Sequence, residues 1–88
     1  MIEQEITIVN KAGMHTRPAS QIVKIAAKYE SDFFISKNNF EVNGKSIIGV
    51  MTLAAEKGSK LILKFDGEDE EEFSKEMIKF FEEGFGEL

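Results

Sequence analysis

The sequence predicts a two-layer α+β fold, an antiparallel sheet covered on one side by three helices. Three observations point there. Four short runs alternate apolar and polar residues with a period of two, other stretches carry apolar residues at helical spacing, and the order along the chain is β-α-β-β-α-β-α. A chain of 88 residues suffices for one modest core, burying roughly 60–65% of the surface its unfolded form exposes. One domain over residues 1–88 is expected, with no internal repeat, linker or low-complexity segment.

The first strand is predicted over residues 2–9, where Ile6 and Ile8 alternate with Glu5 and Thr7. Asn10-Lys11-Ala12-Gly13 breaks it. Over residues 16–29, Ala19, Ile22, Val23, Ala26 and Tyr29 form an apolar stripe with Lys24 and Lys28 off it, which predicts a helix. A second strand is expected at 33–37 and a short third at 40–43, joined by Asn38-Asn39, a pair that tolerates positive φ in a tight turn. Ser46 precedes a short apolar helix at 47–53 as its N-cap, with part of that helix expected to stay exposed. Lys57-Gly58 turns the chain, and Leu61, Leu63 and Phe65 mark a fourth strand. The last helix, 70–83, carries Phe73, Met77, Phe80 and Phe81 on one face, and the acids of its first turn suit the positive end of the helix dipole.

Composition removes several function classes. No apolar run approaches the ~20 residues that span a bilayer, and residues 1–5 lack the pattern of a signal peptide. Without cysteine there is neither a disulfide framework nor a thiolate site, which fits a cytoplasmic protein. A net charge of −5 argues against nucleic acid as partner. The charge is unevenly spread: residues 66–88 hold ten acids and two lysines, while residues 1–65 hold nine bases and six acids. The mildly basic body suggests an anionic ligand or an acidic partner, and the acidic segment reads simply as a solvated helix surface.

The only histidine, arginine and proline of the chain all fall in Gly13-Met14-His15-Thr16-Arg17-Pro18-Ala19. This segment enters a helix, where unpaired backbone N–H groups and the dipole favour an anion, and a proline in the first turn costs little. A phosphoryl group taken up by the His15 ring would meet those N–H groups and the Arg17 guanidinium, a fork suited to phosphate oxygens. Gly13 permits a tight backbone turn that leaves the ring open. A metal site is poorly supported, with no second histidine, no cysteine and no carboxylate at ligand spacing. Hydrolysis is equally weak, since no motif supplies His15 with a nucleophile or an orienting acid. The second feature is Asn43-Gly44-Lys45-Ser46-Ile47-Ile48. Beside its capping role, Ser46 is a candidate phosphorylation site: a phosphoserine at a helix start is electrostatically welcome and adds about −1.5 to −2 charge next to apolar Ile47, Ile48 and Met51. Gly44-Lys45-Ser46 is not a P-loop, for the earlier glycine is absent.

These two segments resemble the signatures of HPr, the histidine-containing phosphocarrier family of the bacterial phosphoenolpyruvate-dependent sugar phosphotransferase system. Gly13 to Ala19 resembles its active-site signature, Lys45 to Leu53 its serine-site signature, and Gly67-Glu68-Asp69-Glu70-Glu71 the turn into its last helix. The resemblance implies an open-faced β-sandwich with sheet order 1-4-2-3. It implies that enzyme I passes a phosphoryl group to Nδ1 of His15, and that the carrier hands it to a histidine on the IIA domains of sugar permeases, without a cofactor and without being a stand-alone catalyst. Thr16 and Arg17 then match phosphoryl-stabilising positions, and Thr16, Ser20, Lys24, Lys45, Ile47, Ile48 and Met51 match positions that dock both partners. A serine kinase/phosphorylase acting on Ser46 and a transcriptional regulator are the further partners so implied.

The chain departs from the pattern at Ser20, at Phe73, where a smaller residue is usual, and in the aromatic tail around Phe85. The tail has no reading beyond packing on the sheet edge or meeting a partner. An alternative function stands beside the relay: a regulatory binding protein controlled mainly through Ser46, in a host with a reduced sugar phosphotransferase system. A nitrogen-branch paralogue is a variant of the relay.

Overall fold

The computed structural model describes residues 1–87. Its order is β1 (Ile2–Thr7), α1 (Thr16–Ala26), β2 (Asp32–Lys37), β3 (Phe40–Asn43), α2 (Ile47–Thr52), β4 (Lys60–Asp66) and α3 (Glu70–Glu82), followed by a tight turn at Gly84–Gly86. The four strands form one antiparallel sheet in the order β1-β4-β2-β3. Both the predicted element order and the sheet order are observed, and the boundaries move by one to three residues.

The shifts have local causes. Strand pairing of β1 with β4 runs from Ile2 opposite Phe65 to Thr7 opposite Lys60. Beyond Thr7 the backbone of Ile8 bonds instead to the turn, donating to the Ser59 carbonyl at 2.9 Å and accepting from Gly58 N–H at 2.8 Å. Helix α1 ends at Ala26 because the next residues tighten, with Lys28 N–H donating to Ile25 and Tyr29 N–H to Ala26, three residues back. Tyr29 nonetheless keeps its place on the apolar side, stacked on Phe73 with ring centroids 4.6 Å apart. Asn38 and Asn39 both adopt positive φ, 51° and 67°, and join β2 to β3 in a two-residue hairpin that sets Lys37 opposite Phe40.

Between the sheet and the helices lies an aromatic core. Phe33 and Phe65, paired across β2 and β4, stack at 4.9 Å, and the fully buried Phe73 of α3 meets them at 5.1 and 5.0 Å. The large residue at position 73 thus closes an aromatic cluster. Ile6, Ile8, Ile22, Ile35, Leu61, Leu63, Met77 and Phe81 complete the interior. Phe80, placed on the apolar face by the sequence, is only half-buried at its edge.

Short α2 is anchored through Val50 alone. Ile47, Ile48 and Met51 are 37%, 77% and 43% exposed, an apolar patch on the surface beside α1. Its Ser46 caps as expected, the hydroxyl accepting from Gly49 N–H at 3.2 Å.

The acids of residues 66–88 are not merely a solvated surface, which corrects the sequence reading. Asp69 accepts from the Glu30 and Ser31 N–H groups and the Ser31 hydroxyl, tying the start of α3 to the α1–β2 connection. Glu70 holds the N-terminal amino group at 3.2 Å. Glu76 accepts from Lys28 and from the Tyr29 hydroxyl, both at 2.6 Å. Glu87 bonds to Asn10, His15 and Arg17 around the start of α1.

Candidate functional site

The site is assembled where the loop after β1 enters α1. Gly13 has φ +72°, and a Cβ there would sit 2.6 Å from the Ala55 carbonyl oxygen, so only glycine fits without displacing backbone. Met14 N–H donates to that same carbonyl at 2.9 Å, fastening the loop to the segment after α2. His15 follows as the N-cap of α1, with extended φ and ψ, and its carbonyl accepts from Ala19 N–H. Its side chain makes no capping bond, and Pro18 occupies the first turn without cost to the helix.

The His15 side chain is 41% exposed and that of Arg17 67%. Both converge on the carboxylate of Glu87, 72 residues away from His15 in the chain and only 11% exposed. Its Oε2 lies 2.9 Å from His15 Nε2 and 2.5 Å from an Arg17 guanidinium nitrogen, and its Oε1 accepts from the Asn10 side-chain amide at 2.8 Å. Buried Asn10 also donates to the Gly13 carbonyl at 2.8 Å, so one amide braces both the loop and the carboxylate. Arg17 foremost, then Asn10 and His15, hold the Glu87 carboxyl down at about 2, against the opposing effect of desolvation. An ionised carboxylate only accepts hydrogen bonds, so His15 Nε2 carries the proton facing it. Nδ1 has no partner among the described residues.

The tail that delivers Glu87 explains Phe85. Gly84, Phe85 and Gly86 have φ of 62°, 59° and 74°, three successive left-handed residues. Phe85 is buried, with its ring 5.3 Å from Phe80 and 4.9 Å from Phe81. The turn thereby folds back over α3 and points Glu87 at the ring of His15. No motif in the sequence places an acid beside His15; tertiary packing brings the Glu87 carboxylate there. The glycine-flanked phenylalanine was its only trace in the sequence.

The other singled-out residues divide. Thr16, Ser20 and Lys24 follow one another at four-residue spacing along one face of α1, Thr16 and Lys24 exposed and Ser20 half-buried. A shallow depression of about 360 Å³ beside His15 is lined by Ala12, Met14, Thr16, Met51, Ala54, Ala55 and Glu56, which brings Met51 of α2 to the same place. Lys45 stands apart: its ammonium donates to the Tyr29 carbonyl at 2.7 Å, satisfying a carbonyl left open past the end of α1. Among the described residues no group of three or more acids and histidines could hold a metal ion, and no helix is long and apolar enough to cross a membrane.

A family profile described as the PTS HPr component phosphorylation site matches residues 2–83. The chain belongs to the HPr family of phosphocarrier proteins. It is 40% identical to the phosphocarrier protein HPr of Neisseria meningitidis serogroup A over 87 residues, 99% of this chain and 98% of that one. The crystal structure of HPr-C-His from Thermoanaerobacter tengcongensis superposes with a TM-score of 0.95 at 42% identity, covering 100% of this chain and 99% of the other. The solution structure of Crh, the Bacillus subtilis catabolite repression HPr, matches with a TM-score of 0.66 at 35% identity, covering 91% and 95%. As a member of the HPr family, the chain is a phosphoryl relay.

Proposed function

We propose that His15 is the phosphoryl acceptor, charged by phosphorylated enzyme I and discharged to a histidine on the IIA domains of sugar permeases, in the cytoplasm and within one domain. The observation that carries this reading is the exposed His15 ring at the start of α1, with Nδ1 open and Arg17 beside it. A phosphoryl group on Nδ1 would find the Arg17 fork and the first backbone N–H groups of α1, a preorganised set of donors for its oxygens. The face around it, with Thr16, Ser20 and Lys24 of α1 and the exposed Ile47, Ile48 and Met51 of α2, combines apolar contact with positive charge and suits acidic partners. Intact mass after incubation with phosphoenolpyruvate and a competent enzyme I tests the relay. One added phosphoryl group, lost in mild acid and absent from His15→Ala, is expected; no addition to the wild type would overturn the assignment.

Regulation through Ser46 is the second reading, favoured by the position of its hydroxyl at the rim of the exposed apolar patch and by the likeness to a catabolite repression HPr. Phosphate there would place about −1.5 to −2 charge among groups awaiting an acidic partner. Incubation with ATP and an HPr serine kinase should label the wild type and leave Ser46→Ala unlabelled; equal labelling of both would refute it.

A further inference from the structure

We infer that Glu56 is a specificity-determining residue for phosphoryl uptake: its carboxylate selects an enzyme I whose docking face sets a lysine or arginine beside its phosphoryl group. The inference rests on enzyme I docking against the face around His15. Glu56 lies between α2 and β4 and lines the depression beside His15. Among the described residues it is the only acid in that lining, which is otherwise apolar but for His15 and Thr16. Asp69, Glu70, Glu76 and Glu87 spend their carboxylates within the fold. The exposed Glu56 side chain, by contrast, has no ion-pair or hydrogen-bond partner among the described residues.

The backbone beneath this charge is held in place. Glu56 N–H donates to the Ser59 hydroxyl at 3.0 Å, and the Glu56 carbonyl accepts from Ser59 N–H at 2.9 Å. One residue earlier the Ala55 carbonyl takes the Met14 N–H at 2.9 Å, and a Cβ on Gly13 would come within 3.1 Å of Glu56 Cα. The charge thus keeps a fixed station next to the loop that carries His15. When a partner closes over the depression, the carboxylate loses water. Opposite an acid it is repelled, opposite an apolar group it is left unpaired, and only a cation compensates it. Lys24 on the same face is exposed and suits acids of the partner. One carboxylate among such cations gives a single positive group on the partner one place to sit, which sets orientation and excludes partners lacking that group.

Two measurements on wild type, Glu56→Gln and Glu56→Lys, each checked for native circular dichroism, test the role against the cognate enzyme I. The first is the affinity of the unphosphorylated carrier for enzyme I, from chemical-shift titrations at low and high salt. At low salt Glu56→Gln should bind about three- to fivefold more weakly, the worth of one ion pair at the rim of an interface. Glu56→Lys should bind more weakly still, and both gaps should narrow at high salt, which screens exposed charges. The second is KM and kcat for phosphoryl uptake from phosphorylated enzyme I. KM should rise in the same order while kcat holds, since His15 and Arg17 are untouched. Binding by Glu56→Gln that is unchanged or tighter would overturn the inference, the tighter case meaning that the carboxylate faces an acid. A loss confined to kcat, or a gap that salt does not narrow, would overturn it as well. If the wild type binds enzyme I but takes up no phosphoryl group, the acceptor assignment fails while the affinities still decide the role of Glu56. If it binds no enzyme I, the inference falls.

Discussion

Replacing Phe85 by alanine should uncouple the tail from the fold and empty the carboxylate position beside His15. The ring is buried against Phe80 and Phe81, and removing a fully enclosed phenyl costs about 3–5 kcal/mol. The turn can instead peel away from α3 rather than leave a cavity, which caps the loss at about 2–3 kcal/mol. In a chain of this size each kcal/mol moves the thermal midpoint by about 4–8 °C, so a fall of about 10–20 °C is expected. Phe85 sits at φ 59°, a conformation that costs a side-chain-bearing residue about 1–2 kcal/mol. Alanine inherits that strain whereas glycine escapes it, so Phe85→Gly should be the milder variant. Urea unfolding followed by circular dichroism measures the stabilities, and the 15N signals of the His15 ring report the detachment. A loss below about 0.5 kcal/mol for Phe85→Ala, or ring signals that stay as in the wild type, would refute the idea that this side chain anchors the tail.

Three further outcomes follow from groups away from the ring. Tyr29 is the single tyrosine in a chain without tryptophan, and its hydrogen bond to Glu76 with partial burial pushes its hydroxyl up to about 12 from 10.0; tyrosinate absorbance should therefore rise near pH 12, and nearer 10 in Glu76→Gln. Because that value is raised in the folded state, the stabilisation from this bond is complete below about pH 10 and is lost as pH climbs through about 12. Asp69 is held below its usual 3.8, chiefly by the Ser31 hydroxyl and the Glu30 N–H, so the stability gap between wild type and Asp69→Asn should be full above that value and close as pH falls below it in acid unfolding. Ser46→Ala removes the hydroxyl that accepts from Gly49 N–H and should cost about 1 kcal/mol in urea unfolding, the worth of an N-cap; an unchanged midpoint would mean that α2 is held by Val50 alone.

Local patterns carried most of this molecule. Alternation at Ile6 and Ile8, the left-handed Asn38-Asn39 pair and the Ser46 cap are each decided within a few residues, and each appears where it was expected. The helix start at His15, with Arg17 beside it, was legible as well, because both are local facts. What could not be read were the contacts made across the fold. Glu87 lies 72 residues from His15, and among ten acids after residue 65 nothing local separates it from those facing water. The resemblance puts Lys45 at a docking position, and nothing in the sequence showed that its ammonium also bonds the Tyr29 carbonyl beyond α1, a bond that only the tertiary approach of the two segments makes. Ends of elements shifted for the same reason: Ile8 continues the alternation of β1, yet the turn before β4 takes its hydrogen bonds.

The exposed patch of α2 lies against the same depression that opens beside His15. On the function proposed above, giver and receiver of the phosphoryl group must queue for one berth, and neither can board while the other is moored. Exchange then runs as a two-stroke cycle, with parallel lines in a double-reciprocal plot, and an excess of uncharged carrier slows delivery by occupying receivers it cannot serve. Throughput is set by how quickly each visitor departs, which favours a small patch that grips briefly over a large one that holds fast.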